Sequence, residues 1–225
     1  MTPVSLERLA ADHGPVLILD AAGSAQAALR QGAELRAASA PGEAGVALFQ
    51  ALDGLASPSG SAADLIARAE AFVFCRSPGS VLGIRTCAMA IRVWRVLRAR
   101  PVYAYDALEL LAAANGRADV AFIADARRGE WHWARAGSAP ERMPEDQVAA
   151  RARADGVALA MPEGFRAWSA APPETRPARY NIGELWSRAA PLPLLSFTSE
   201  PDAWMAAEPS YLRWTPRLHG AAGTP

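Results

Sequence analysis

The sequence predicts an α/β protein of two lobes, each a mixed β-sheet with helices packed on it. Three observations carry this expectation. A unit of apolar strand, closing aspartate, turn and hairpin strand occurs twice, at residues 16–30 and 120–135. Between the two units, 71–100 reads as a buried strand, a tight turn and one long helix. The chain has 225 residues, 51% hydrophobic and 20% charged, enough to bury the core of one large domain or two small lobes.

In chain order, 4–12 is a short leading helix, and 15–20 is the first strand, apolar throughout until Asp20. A meander follows at 25–30 and 34–38, turning at Gln31-Gly32. Residues 43–55 form a helix with Val46, Phe49 and Leu52 on one face, and 63–70 is a short helix after a Ser-Pro-Ser-Gly loop. Ala71-Phe72-Val73-Phe74 is the central strand, because aromatic and β-branched residues run without alternation. Residues 75–80 make the turn, where Pro78 and Gly79 reverse the backbone and Ser80 caps the next helix. A strand at 101–105, an N-cap at Asp106 and a helix at 107–114 then repeat the pattern. The second apolar strand, 120–125, ends in Asp125 and turns through 126–129 into 130–135. A helix from Met143 toward Asp155, a strand at 157–161, a proline-rich surface connection at 170–179 and a helix at 181–189 complete the reading. The lobes divide as 1–104 and 105–225, with the C-terminal tail free to pack back on the first lobe and 220–225 expected to be disordered.

The helix at 81–100 carries more apolar surface than one sheet can cover. At 100° per residue, Leu82, Met89, Val93, Val96 and Leu97 fall on one side, and Ile84, Cys87, Ile91 and Trp94 on another. Only a narrow strip near Arg85, Arg92 and Arg95 is polar. A surface helix usually shows one apolar stripe a little over 100° wide. A second covering surface is needed, either a neighbouring helix or another protein, and periodicity leaves open which arc faces outward.

Composition removes several functions. All 23 basic residues are arginine, which excludes a lysine nucleophile, a Schiff base and the lysine-bearing phosphate loop. The net charge is zero, so no whole-surface basic footprint for nucleic acid exists. Cys75 and Cys87 are too few for a disulfide framework, and Cys75 reads as a small buried hydrophobe sooner than as an activated thiol. No stretch approaches a membrane span and no signal peptide is visible, so a cytoplasmic protein is expected.

Residues 76–85, Arg-Ser-Pro-Gly-Ser-Val-Leu-Gly-Ile-Arg, resemble the signature G-R-G-P-G-S-F-T-G-V-R of the TsaB family. Asp125-Ala126-Arg127-Arg128-Gly129-Glu130, with Trp133-Ala134, is similar to that family's D-A-R-x-G-E-V-Y-W-A. Glu208-Pro209-Ser210-Tyr211-Leu212-Arg213 is similar to its closing E-P-x-Y-L-R, and Ile18-Leu19-Asp20 stands where the family has I-D-T-S. The order holds over nearly the whole chain, which resembles a divergent member. The resemblance implies two actin-like (RNase H-like) lobes and a degenerate nucleotide cleft at Asp20, Pro78, Gly79, Ser80, Asp125 and Arg127. It implies no catalytic residue, no metal and no cofactor. It also implies pairing with a TsaD-like catalytic subunit, which modifies the tRNA adenosine next to the anticodon with threonylcarbamoyl, and with a TsaE-like ATPase. The chain would then meet tRNA only through the complex. The interface expected from this is Phe49 and Leu52 with Leu82, Met89 and Val93, rimmed by Arg85 and Arg92, and the same helices offer a homodimer contact when the chain is alone.

The departures from the family pattern fall at phosphate-approach positions. Ala21 and Ala22 replace threonine and serine, Leu82 replaces a threonine, Cys75 and Ser77 replace glycines, and Glu43-Ala44 replaces histidine-serine. Hydroxyls and glycines are what a backbone uses to approach and bond phosphates, so their loss argues against nucleotide binding. The catalytic TsaD-like role itself needs an H-x-x-x-H pair for its metal, and His13, His132 and His219 provide none. A degenerate paralogue with another partner, or a stand-alone actin-fold ATPase or kinase using Asp20 or Asp125, is the alternative reading. On spacing alone, an aspartate at a strand end is more often a turn residue than a ligand.

Overall fold

The computed structural model describes residues 2–56 and 60–204. The chain begins with α1 (Leu6–His13), β1 (Val16–Asp20), β2 (Ala25–Gln31), β3 (Glu34–Ala40), α2 (Ala44–Ala56), α3 (Ala62–Arg68), β4 (Ala71–Ser77), α4 (Val81–Leu97) and β5 (Val102–Asp106). The chain continues through α5 (Ala107–Asn115), β6 (Val120–Arg127), β7 (Glu130–Ala134), β8 (Glu141–Pro144), α6 (Glu145–Asp155) and β9 (Ala158–Pro162). It ends in β10 (Arg176–Ala178), α7 (Ile182–Ala189) and β11 (Ser196–Phe197). Two mixed sheets result, ordered β11-β5-β4-β1-β2-β3 and β10-β9-β6-β7-β8.

Strand β1 lies between β4 and β2, which is why all five of its residues are buried and its sequence does not alternate. The register puts Asp20, Cys75 and Tyr105 on one face of the first sheet and Leu19, Phe74 and Ala104 on the other. The Trp94 ring of α4 meets Phe72 on the second face at 5.6 Å, and the Trp186 ring of α7 meets Tyr105 edge-on at 5.3 Å on the first. Helices α2 and α4 therefore cover one side, and α5 and α7 fill the space between the two sheets. Val120, Phe122 and Ala124 of β6 join that shared core. The alternate residues Ala121 and Ile123 pack with Trp131, Trp133 and Val148 in a second core under α6.

The caps read from the sequence are present. Ser80 Oγ accepts from the Gly83 N–H at 3.2 Å, and Asp106 Oδ1 accepts from the N–H groups of Leu108 and Glu109. Some boundaries differ. Cys75, Arg76 and Ser77 continue β4 instead of belonging to the turn, and α4 stops at Leu97, where Arg98 pairs with Glu70 before Pro101. Three short strands were not legible. β8 and β10 lie at the edges of the second sheet, and β11 returns the chain to the first sheet beside β5. The tail residues 220–225, His219 and the Glu208–Arg213 motif lie outside the described residues.

A half-buried histidine on β7 gives a pH prediction. His132 sits opposite Ala124, and burial, aided by the Arg142 charge, lowers its pKa from 6.5 to about 4 against the pull of Asp125. Because the folded value is the lower one, this contribution to stability is intact above pH 6.5 and lost as the pH falls toward 4. The melting temperature of His132→Gln minus that of wild type should rise steadily as the pH is lowered from 6.5 to 4.5. A constant difference across that range would show that the imidazole is not held neutral.

Candidate functional site

The strand-end aspartate of the first lobe is sealed. Asp20 is fully buried, and its Oδ2 accepts from the Tyr105 hydroxyl at 2.5 Å and the Tyr180 hydroxyl at 2.7 Å. Its Oδ1 accepts from the Ala22 N–H at 2.8 Å. Burial raises the Asp20 pKa, and these three hydrogen bonds oppose the rise without cancelling it. Tyr180 precedes α7, and its ring packs edge-on against Phe165 at 4.9 Å. Phe165 and Gly164 in turn press on Gly23 of the β1–β2 turn, where an added Cβ would stand 3.2 Å from the Phe165 ring. Aromatic side chains from the second half of the chain thus roof the end of β1.

The turn before α4 is closed onto the same place. Gly79 has φ 143°, and an added Cβ would come within 2.6 Å of both the Cβ and the carbonyl oxygen of Ala22. A Cβ on Gly83 would overlap the Ala21 carbonyl. The Ser80 N–H donates to the Ala22 carbonyl at 2.7 Å. Pro78, Gly79 and Ser80 are therefore brought to Asp20, as the motif reading expects, but packed against its turn. The N–H groups of Ala22 and Ser80 are engaged within the protein, and the Ser80 oxygen accepts from the Gly83 N–H, engaging that donor as well. A phosphate cradle needs such donors free to point at the ligand.

Asp125 has a separate set of partners. Its Oδ1 accepts from the Arg127 N–H at 2.5 Å, and its Oδ2 from the N–H groups of Trp168 and Ser169 at 2.6 and 2.7 Å. Partial burial raises its pKa, but the hydrogen bonds from Ser169, Arg127 and Trp168 outweigh this and hold it below the usual carboxylate value. Arg127 and Arg128 both adopt left-handed backbone, with φ 66° and 56°. The Arg127 guanidinium lies 5.0 Å from the Trp168 ring, and that of Arg166 lies 4.2 Å from it. Phe165, Trp168 and Tyr180 were not among the candidates, because they lie in the loop-rich stretch after β9. Cys75 is fully buried and its thiol is pushed well up by desolvation, which rules it out as an activated nucleophile.

The α4 surface resolves the ambiguity of its two arcs. Ile84, Cys87, Ile91 and Trp94 are buried, whereas Leu82, Met89, Val93, Val96 and Leu97 are between 52% and 86% exposed. Phe49 and Val46 of α2 are exposed as well, but Leu52 is completely buried. Leu52 shares the inward face with Leu48, Ala51 and Leu55, so it leaves the outward set. Arg85 and Arg92 also differ from a free polar rim. Asp202 lies 3.6 Å from one and 3.5 Å from the other. Arg95 donates to the Ser199 carbonyl at 2.7 Å, and the Trp204 N–H donates to the Arg76 carbonyl. The chain's own 199–204 segment thus runs along the arginine strip, and among the described residues the apolar strip is left uncovered.

Among the described residues no helix is long and apolar enough to cross a membrane. No family model matches the sequence, and no curated protein matches it. The fold does match solved structures. YeaZ from Pseudomonas aeruginosa superposes with a TM-score of 0.57 at 20% identity, covering 78% of this chain and 90% of that one. A second structure, described as an uncharacterized protein with similarity to peptidase YEAZ from the same organism, superposes with a TM-score of 0.58 at 21% identity, covering 77% and 89%. With its two mixed sheets, the chain has the two-lobed actin-like fold of these YeaZ structures.

Proposed function

We propose that this chain is a TsaB-like, non-catalytic subunit that pairs with a TsaD-like catalytic subunit in threonylcarbamoyl modification of tRNA adenosine. A TsaE-like ATPase joins the assembly, and tRNA is met through the complex. The observation that carries this reading is the apolar strip of α4, Leu82 to Leu97, exposed among the described residues beside Phe49 on a fold shared with YeaZ. Contiguous apolar patches of several hundred Å² on soluble proteins commonly mark interaction sites. The sealed Asp20 turn supports a role without nucleotide chemistry. The test is reconstitution: the chain and the TsaD-like protein encoded in the same cell are mixed and passed over a sizing column. Co-elution, together with threonylcarbamoyl transfer to tRNA that requires this chain, is expected. Separate elution at micromolar concentration, or transfer that proceeds equally without the chain, would overturn the reading.

The closed cleft gives a second expected result. Calorimetric titration of the isolated chain with ATP and magnesium should show at best weak binding, because Ala22 occupies the space beside Gly79 and the N–H groups of Ala22, Ser80 and Gly83 are already used. A low-micromolar Kd, about 8 kcal/mol of binding, would mean that the turn opens to admit a phosphate.

A further inference from the structure

We propose that the cavity between α5, α7 and the β6–β9–β10 side of the second sheet binds a small organic anion, an apolar body carrying a carboxylate, sulfonate or phosphate. The cavity has a volume of about 460 Å³, within the range of small-molecule sites. It is lined near the starts of β6, β9 and β10, by Val120, Ala158 and Arg176, whereas Asp125 and the β6–β7 turn lie at the other end of β6. It is also on the side of the first sheet opposite α4, so the proposal stands independently of the partner reading.

Its lining divides into two chemistries. Leu111 of α5, Val120 and Phe122 of β6, Ala160 of β9 and Leu185 of α7 give it an apolar floor. Around them stand four arginines, Arg117, Arg176, Arg179 and Arg188, against a single acidic lining residue, Glu184. Two arginines are already engaged. Arg117 grips Asp119 through two hydrogen bonds, at 2.9 and 2.6 Å, and Arg179 pairs with Glu184 at 2.8 Å. The guanidinium groups of Arg176 and Arg188 have no hydrogen-bond or ion-pair partner among the described residues.

This charge distribution is not the chain's average. Basic and acidic residues balance over the whole sequence, 23 against 23, yet the cavity gathers a clear positive excess over an apolar base. Like charges lining one cavity repel, and a bound anion relieves that repulsion. Guanidinium donors present a planar fork that matches carboxylate, sulfonate and phosphate oxygens, and the apolar floor takes up the rest of the ligand. The elements that hold the site are regular: β10 pairs with β9 in parallel at Arg176 and Ala160, and Asn181 caps α7 by accepting from the Glu184 N–H. The cavity is thus built on the frame of the fold.

The test uses two dyes with the same aromatic body. Anilinonaphthalene sulfonate carries the anion, and phenylnaphthylamine lacks it. Fluorescence titration of the full chain should show one saturable sulfonate-dye site, with the neutral dye at least about tenfold weaker, a gap of roughly 1.4 kcal/mol. In Arg176→Glu/Arg188→Glu, sulfonate-dye affinity should fall at least about tenfold. Both positions are exposed, so the variant should keep the wild-type circular dichroism spectrum and melting temperature. Affinity should also fall as salt is raised, since the charges face solvent. Absence of saturable binding would overturn the proposal. So would equal affinity of the two dyes, or affinity that the charge reversal leaves unchanged, which would place the dye on the exposed apolar strip of α4.

Discussion

Val93→Asp is expected to leave the chain folded and to abolish its assembly with the TsaD-like subunit. Val93 is 57% exposed at the middle of the uncovered strip of α4. Its neighbours three and four residues away on the helix are Met89, Ala90, Val96 and Leu97, none able to pair a carboxylate. Valine and aspartate have similar helix propensities, so the change in stability should stay within about 0.5 kcal/mol, as for other surface substitutions. In an interface, the same carboxylate would be desolvated without a partner. A penalty of about 3 kcal/mol or more is reasonable, roughly a hundredfold in Kd. Met89→Asp is the weaker test. Arg85 lies four residues before Met89 and Arg92 three after it, with the Arg92 guanidinium already 3.9 Å from the Met89 sulfur, so a new charge there would be paired. Pull-down of the partner by wild-type and variant chains at equal melting temperature decides the matter. A folded Val93→Asp chain that still binds normally would remove α4 from the interface.

How much of this was legible in the sequence depended on how local the determinant was. The strands β1, β4 and β6 announce themselves, because strands covered on both faces run apolar without alternation until their ends. The caps Ser80 and Asp106 are equally local. The choice of outward face on α4 was not legible, since two apolar arcs of similar width are equivalent until the sheet chooses between them. Leu52 shows the same limit: three residues after Phe49 it is only 60° away around the helix, and the boundary between core and surface falls between the two. Strands β10 and β11, three and two residues long, exist because a neighbouring edge offers hydrogen bonds, not because their own sequence demands extension. The sealing of Asp20 was the least visible feature. Its Tyr180 partner is 160 residues away, and no local pattern in a proline-rich connection marks a tyrosine as the lid of a distant carboxyl. The apolar-floored arginine cavity is equally non-local, assembled from α5, α7 and three strands of the second sheet.

Gly83→Ala should clearly destabilise the chain, against the ordinary expectation for a glycine inside a helix. In a free helix the substitution is favourable by about 1 kcal/mol, because glycine loses more backbone entropy than alanine on ordering. Here Gly83 lies in the first turn of α4, where the helix rests directly on the β1–β2 turn. An added Cβ overlaps the Ala21 carbonyl oxygen and stands 3.1 Å from the Ala21 methyl. The obstacle is backbone, and the Ala22 N–H to Asp20 and Ser80 N–H to Ala22 bonds hold it in place. Relief therefore requires lifting α4 off the sheet, which would disturb the packing of Ile84 and Cys87, or moving the turn that ties down Asp20. Overpacking of a rigid site costs typically 1–3 kcal/mol and occasionally more, and a backbone obstacle belongs at or above the upper end, about 3 kcal/mol. Net of the helix gain, a loss of about 2 kcal/mol or more is the expected result, a large share of the 5–15 kcal/mol that holds a typical domain together. Urea denaturation of the two chains measures it directly: the midpoint should drop clearly at unchanged slope. An unchanged or raised midpoint would mean that α4 and the β1–β2 turn are farther apart in solution, and that the route to Asp20 is open after all.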